Sequence, residues 1–121
     1  MEAVYVVSAV RTAVGTFGGA LKDKNPGELG AHVMREAISR AGVEAGEISH
    51  VAVGQVIPTC PRDAYLARVC AVEAGIPIET PAMSVNRLCG SGLQAILTAA
   101  QTIMLGDSEI AAAAGVEVMS K

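Results

Sequence analysis

Tryptophan is absent from the 121 residues, and with one Phe and two Tyr no aromatic cluster can organise a core. The 51% apolar share comes instead mostly from Ala, Val, Ile and Leu. That share slightly exceeds the usual one, so part of the apolar surface is expected to meet other polypeptide. Cationic tracts are missing as well: nine Lys and Arg against twelve Asp and Glu leave a net charge of −3, which excludes a nucleic acid partner that would need clustered basic residues. No apolar run approaches the ~18 residues needed to span a bilayer, and Met1-Glu2-Ala3-Val4 lacks the positive opening of a signal peptide. The expectation is a cytoplasmic chain with no membrane partner. Cysteines are few and odd in number: Cys60, Cys70 and Cys89 have no metal-like spacing, and His32 and His50 each lack a nearby second ligand. Disulfide and metal readings fail together. The length suits one domain with a real core and not two.

What is present is an alternation of short segments. Val4-Tyr5-Val6-Val7-Ser8-Ala9-Val10 is a nearly unbroken β-branched run, which predicts a strand covered on both faces. The loop over 11–25 holds Gly15, Gly18 and Gly19, but a G-x-G-x-x-G from Gly15 would need Gly at Phe17, and no Lys-Ser or Lys-Thr pair follows. It is not read as a phosphate cradle. Asn25-Pro26-Gly27-Glu28 combines a capping Asn, Pro at the first helical position and a nearby Glu, and so predicts a helix start. Leu29, Val33, Ala37, Ile38 and Ala41 form its apolar face, Gly42 stops it, and His32 rides on it as a rim histidine.

A second strand is predicted over 50–56, ending in a turn around Pro58 and Pro61 that carries Cys60 as a loop residue. A second helix follows over 63–74, with Leu66, Val69, Cys70 and Ala74 on one face, which makes Cys70 a core residue. Residues 82–85 form a third strand. A third helix then presents Leu93, Ile96, Leu97, Ala100 and Met104 on one face before Gly106-Asp107, and residues 110–114 give a fourth strand. Such alternation predicts an α/β fold, a mostly parallel sheet with helices on both faces, whose sites gather where strands end and helices begin.

Cys89 stands at such a joint, just before the third helix. The first N–H groups of a helix lack internal partners and carry partial positive charge, so a thiolate is favoured there. Gly90 and Gly92 cost about 1 kcal/mol each relative to Ala inside a helix, which points to close approach by another backbone or a substrate.

Val85-Asn86-Arg87-Leu88-Cys89-Gly90-Ser91-Gly92-Leu93-Gln94-Ala95-Ile96 closely resembles the nucleophile segment of the thiolase family, the acetyl-CoA acetyltransferases and 3-ketoacyl-CoA thiolases. Further stretches resemble the same family: Val7-Ser8-Ala9-Val10-Arg11-Thr12 with Phe17-Gly18-Gly19, then Ala67-Arg68, Ala74-Gly75-Ile76-Pro77, and Gly115 with Glu117, Met119 and Ser120. The resemblance spans essentially the whole chain but only the N-terminal part of a thiolase. It implies a thiolase-like half-domain of three α/β/α layers over 1–121, incomplete relative to the family and missing a last strand antiparallel to the rest.

By the same resemblance Cys89 is the acyl-accepting catalytic residue. Acyl-CoA thioesters are the substrates, no separate cofactor or metal is held, and the protein is an oligomer acting in lipid metabolism. A catalytic His, a second Cys and much of the CoA-binding region belong to the family's later part. The partner is therefore the remainder of a thiolase polypeptide or a complementary subunit, and this chain alone is expected to be inactive. Two departures touch the acyl pocket and subunit contacts: Ala114-Gly115 where thiolases usually have Gly-Gly, and Ala64-Tyr65 where many have Gln-Asn. Two alternatives stand beside this reading, a non-catalytic assembly partner and a serine hydrolase using Ser91. The second is weak, because G-x-S-x-G would need Gly at Cys89.

Overall fold

The computed structural model describes residues 3–121. The first helix, α1, runs Pro26–Ala41 and begins as its sequence dictates. The Asn25 N–H donates to the Glu28 carboxylate, Pro26 takes the first helical position, and Gly42 closes the helix at φ 72°. After a short 3-10 turn at Ala45–Glu47 comes β1, His50–Gly54. A second 3-10 turn at Pro61–Tyr65 leads into α2, Leu66–Glu73. Then come β2, Ala82–Val85, α3, Ser91–Met104, and β3, Ala111–Gly115.

The sheet order is β2-β1-β3 and both pairings are parallel, with Val51 opposite Ala82 on one side and Ala112 on the other. Helices α1 and α2 pack together against one face, and α3 covers the other. Three α/β/α layers result, with all strand C-termini at one edge. The core lies between the sheet and the α1/α2 layer: Ala31, Met34, Val51, Val53, Leu66, Cys70 and Ala71 are its centre. Two glycines bring α1 down onto α2, because a Cβ at Gly27 would strike Val69 and one at Gly30 would strike the Cys70 sulfur. No helix among the described residues is long and apolar enough to cross a membrane.

Several expectations need correction. Residues 4–10 form no strand, and Tyr5, Val6 and Val7 are exposed. A strand exists only as part of a ladder, with a neighbour about 4.8 Å away, and this run has none. It lines, together with β3 and the flanks of α1 and α3, an open apolar cleft of about 1150 Å³. The edge of β3 away from β1 has no partner among the described residues. Of the predicted apolar stripe of α1, Ile38 is buried, whereas Leu29, Val33, Ala37 and Ala41 line this cleft half-buried, and the helix also buries Gly30, Ala31 and Met34. On α3 the difference is larger. Leu93 is 63% and Leu97 43% exposed, and the helix meets the sheet through the small residues Ser91, Ala95 and Ala99. Finally, the segment predicted as one helix over 63–74 starts as a 3-10 turn, because the Asp63 carboxylate is engaged by the preceding loop.

Candidate active site

β2 ends at Val85, and the next five residues turn the chain through an elbow into α3. The Asn86 side-chain oxygen accepts the Leu88 N–H at 2.9 Å, an Asx turn of the kind Asn forms readily. Leu88 then sits at φ 51°, in the left-handed region, which costs a residue with a Cβ roughly 1–2 kcal/mol. Ser91 holds it there. Its hydroxyl accepts the Arg87 N–H at 2.7 Å and donates to the Leu88 carbonyl at 2.7 Å, and the residue is only 3% exposed. The Gly90 and Ser91 N–H groups close further turns onto the Arg87 and Leu88 carbonyls. Cys89 is left at the crest of the elbow, exposed, as a free thiol. Among the described residues neither its sulfur nor its backbone N–H has a hydrogen-bond partner.

The elbow rests on the ends of the neighbouring strands. A Cβ at Gly54 would come within 2.5 Å of the Ser91 carbonyl oxygen, and one at Gly115 within 3.1 Å of Gly92 Cα. The close backbone approach expected around Gly90 and Gly92 occurs at Gly92, and it is the missing Cβ atoms of Gly54 and Gly115 that permit it. A Cβ at Gly92 itself would meet nothing within 4 Å. Beyond β3, the Glu117 carboxylate accepts the Val56 N–H at 2.8 Å and the Ile57 N–H at 3.1 Å, tying the loop after β1 to the loop after β3.

The other candidates separate cleanly. Ser91 cannot be an available nucleophile, since it is buried with its hydroxyl committed to both neighbours. Cys70 is fully buried, its sulfur 3.8 Å from the Gly27 carbonyl, and burial, with the negative charge of Glu73 and Asp63, pushes its thiol up to about 12. Cys60 lies exposed in the loop after β1, 3.6 Å from Asp63. That loop folds around the buried Asp63, which accepts the Thr59 N–H at 2.6 Å, the Thr59 hydroxyl at 2.8 Å and the Gln55 amide at 3.3 Å. His32 is exposed on α1. His50 opens β1, a strand about 13 Å long at ~3.3 Å per residue, at the end of the sheet opposite the one from which the elbow rises. In the glycine loop the Gly18 N–H donates to the Ser120 hydroxyl at 2.9 Å. No group of three or more metal-ligating side chains occurs among the described residues.

The site therefore offers one exposed sulfur and one free N–H beside it, with no acid or base hydrogen-bonded to the sulfur among the described residues. Sequence reasoning singled out Cys89 as its candidate and missed the residues that support the elbow around it. Asn86 two residues before the strained Leu88 was a readable signal of a turn, whereas the roles of Ser91 and Glu117 arise from contacts that periodicity does not encode.

Residues 4–121 match the family model described as the thiolase N-terminal domain. Over 118 residues the chain is 61% identical to the beta-ketothiolase BktB of Cupriavidus necator, covering 98% of this chain and 30% of that protein. It is 40% identical over 121 residues to the mitochondrial 3-ketoacyl-CoA thiolase of Bos taurus, covering 100% of this chain and 30% of the relative. Among solved structures, the acetyl-CoA acetyltransferase of Bacillus anthracis superposes with a TM-score of 0.91 at 45% identity, over 96% of this chain and 29% of that one. The Acat5 thiolase from Ascaris suum, solved in complex with coenzyme A, superposes with a TM-score of 0.92 at 32% identity, over 97% and 30%. The chain thus spans about 30% of the length of the curated relatives it matches.

Proposed function

Because this chain belongs to the thiolase family, as its N-terminal domain, we propose that it supplies the nucleophile of an acetyl-CoA C-acyltransferase, and that the nucleophile is Cys89. The observation that carries the reading is the elbow itself: a strained, doubly braced turn that lifts one free thiol to the surface beside an unpartnered N–H. The Cys89 thiolate attacks the carbonyl carbon of an acyl-CoA thioester, a new C–S bond forms, and the CoA thiolate departs. The Cys89 N–H is one of the donors that can stabilise the intervening oxyanion. A second acetyl-CoA loses a methyl proton to a base, and its carbon attacks the acyl-cysteine carbonyl. That step forms the 3-ketoacyl-CoA and returns the thiolate. Thiolysis is the same sequence reversed.

The base and the second oxyanion donor come from polypeptide beyond this chain, either the rest of a thiolase or a complementary subunit. The apolar cleft beside β3 is where such polypeptide adds a strand, between the free edge and residues 4–10. In this reading the assembly is a cytoplasmic oligomer of lipid metabolism, with CoA thioesters as substrates and no resident cofactor.

Incubation with acetyl-CoA followed by peptide mass spectrometry tests the nucleophile. An acetyl group on Cys89 is expected, and modification at Cys60 with none at Cys89 would overturn the assignment in favour of a non-catalytic assembly role.

A further inference from the structure

We propose that Glu117 is a positioning residue for Cys89, acting through the loop that follows β1. The inference rests on the nucleophile reading above and adds a residue to it. Where the β1–β3 ladder ends, the last backbone bond runs from the Val116 N–H to the Gly54 carbonyl at 3.1 Å. The two N–H groups that follow on the β1 side, those of Val56 and Ile57, have no backbone acceptor among the described residues. The Glu117 side chain turns back and takes both, one on each carboxylate oxygen, at 2.8 and 3.1 Å. A charged acceptor shared by two N–H groups is stronger than a neutral one and fixes the plane of both peptides.

The Val56 peptide so fixed also faces the elbow. Its carbonyl lies 3.5 Å from the Asn86 side-chain nitrogen, the longest link in the chain of contacts, while the other end of that amide holds the Leu88 N–H at 2.9 Å. One residue earlier, the Gln55 N–H bonds the Val85 carbonyl at 3.1 Å, so the same loop is tied to the end of β2 as well. Glu117 therefore fixes, across three loops, the surface on which the Asn86 turn is seated, and with it the direction of Cys89. The Glu117 carboxylate makes its hydrogen bonds to Val56 and Ile57 and none to Cys89. Its effect is on how steadily the sulfur is held against the start of α3.

The test is alkylation of the full 121-residue chain by iodoacetamide from pH 6 to 10, followed at Cys60 and Cys89 separately by peptide mass spectrometry. In Glu117→Ala, Cys89 should react about five- to tenfold more slowly at neutral pH, the size expected when a sulfur is no longer held in place beside the start of a helix. Cys60 should keep its wild-type rate. Glu117→Gln, which retains one acceptor oxygen, should recover part of the loss. A Cys89 profile in both variants that superimposes on wild type overturns the proposal, as does an equal change at Cys60 and Cys89, which would mean general loosening. If Glu117→Ala loses its fold by circular dichroism, Glu117→Gln decides alone, and a wild-type profile there overturns it. A wild-type Cys89 that reacts no faster than Cys60 removes the nucleophile reading itself, and the positioning role with it.

Discussion

Leu88 holds a left-handed backbone without being glycine, and a strain of that kind persists only where its surroundings over-determine it. Ser91 is the chief of those surroundings. Ser91→Ala leaves the Arg87 N–H without its acceptor and is expected to cost about 1–3 kcal/mol, the usual penalty for a poorly solvated donor left unsatisfied. Urea unfolding measures it, and a loss below about 0.5 kcal/mol would remove the brace from the account. Asp63 gives a prediction in pH. Burial works to raise its pKa, but the Thr59 N–H and hydroxyl and the Gln55 amide outweigh burial and bring it below the ordinary 3.8. A carboxyl whose folded pKa is depressed contributes stability above its unfolded value, and that stability is lost as pH falls through the folded one. The thermal midpoint of wild type relative to Asp63→Asn should therefore be highest above pH 5 and shrink below pH ~4; a gap independent of pH would contradict this. Cys89 stands out as a candidate at this scale because its motif is local. Ser91 was visible only as a possible nucleophile, since nothing in sequence tells a hydroxyl that reacts from one that bonds its own turn.

The elements α1, α2, β2 and α3 lie close to where capping residues, glycine stops and apolar runs put them, for those signals act within a few residues. The faces they bury were less legible. Which side of a helix is covered depends on what the rest of the structure presents to it, and α3 meets the sheet through Ala95 and Ala99 rather than through Leu93 and Leu97. Small residues there let the backbone of α3 settle directly on Gly54 and Gly115. Gly54→Ala should therefore destabilise by about 1–3 kcal/mol, since its methyl would meet backbone that cannot swing aside, and should disturb the elbow as well. Gly46→Ala, where a methyl meets nothing within 4 Å, is the control and should be neutral. Equal midpoints for the two variants in urea would sink this account. The run over 4–10 failed as a strand for a reason no local pattern carries: β propensity describes fitness for a ladder, and the ladder has to exist.

At the scale of the whole molecule the open β3 edge, the cleft of about 1150 Å³ and the exposed stripe of α3 leave much apolar surface in water. Leu93, Ile96, Leu97, Ile103 and Met104 together represent on the order of 10 kcal/mol if fully buried. The chain alone should accordingly self-associate, with Leu93→Lys and Leu97→Lys reducing the effect; a monodisperse wild-type monomer in light scattering with sharp thermal unfolding would contradict this. Turnover should be undetectable for the chain alone, because the missing base is worth about 10²–10⁴-fold and the missing orientation of two thioesters several kcal/mol more. Adding the remainder of a thiolase in trans should restore turnover, and Cys89→Ala should abolish it; a fully active recombined Cys89→Ala enzyme would exclude Cys89. Cys70 provides a separate gauge in all these experiments. Its sulfur is walled in by α1 and its thiol is pushed up to about 12, so an alkylating reagent at neutral pH can reach a reactive form only in molecules whose α1/α2 layer has parted. The rate of Cys70 labelling is then a clock for native-state opening, read from the same peptide digest that reports Cys89, and it counts how often the protein breathes with no reagent beyond the one already in use.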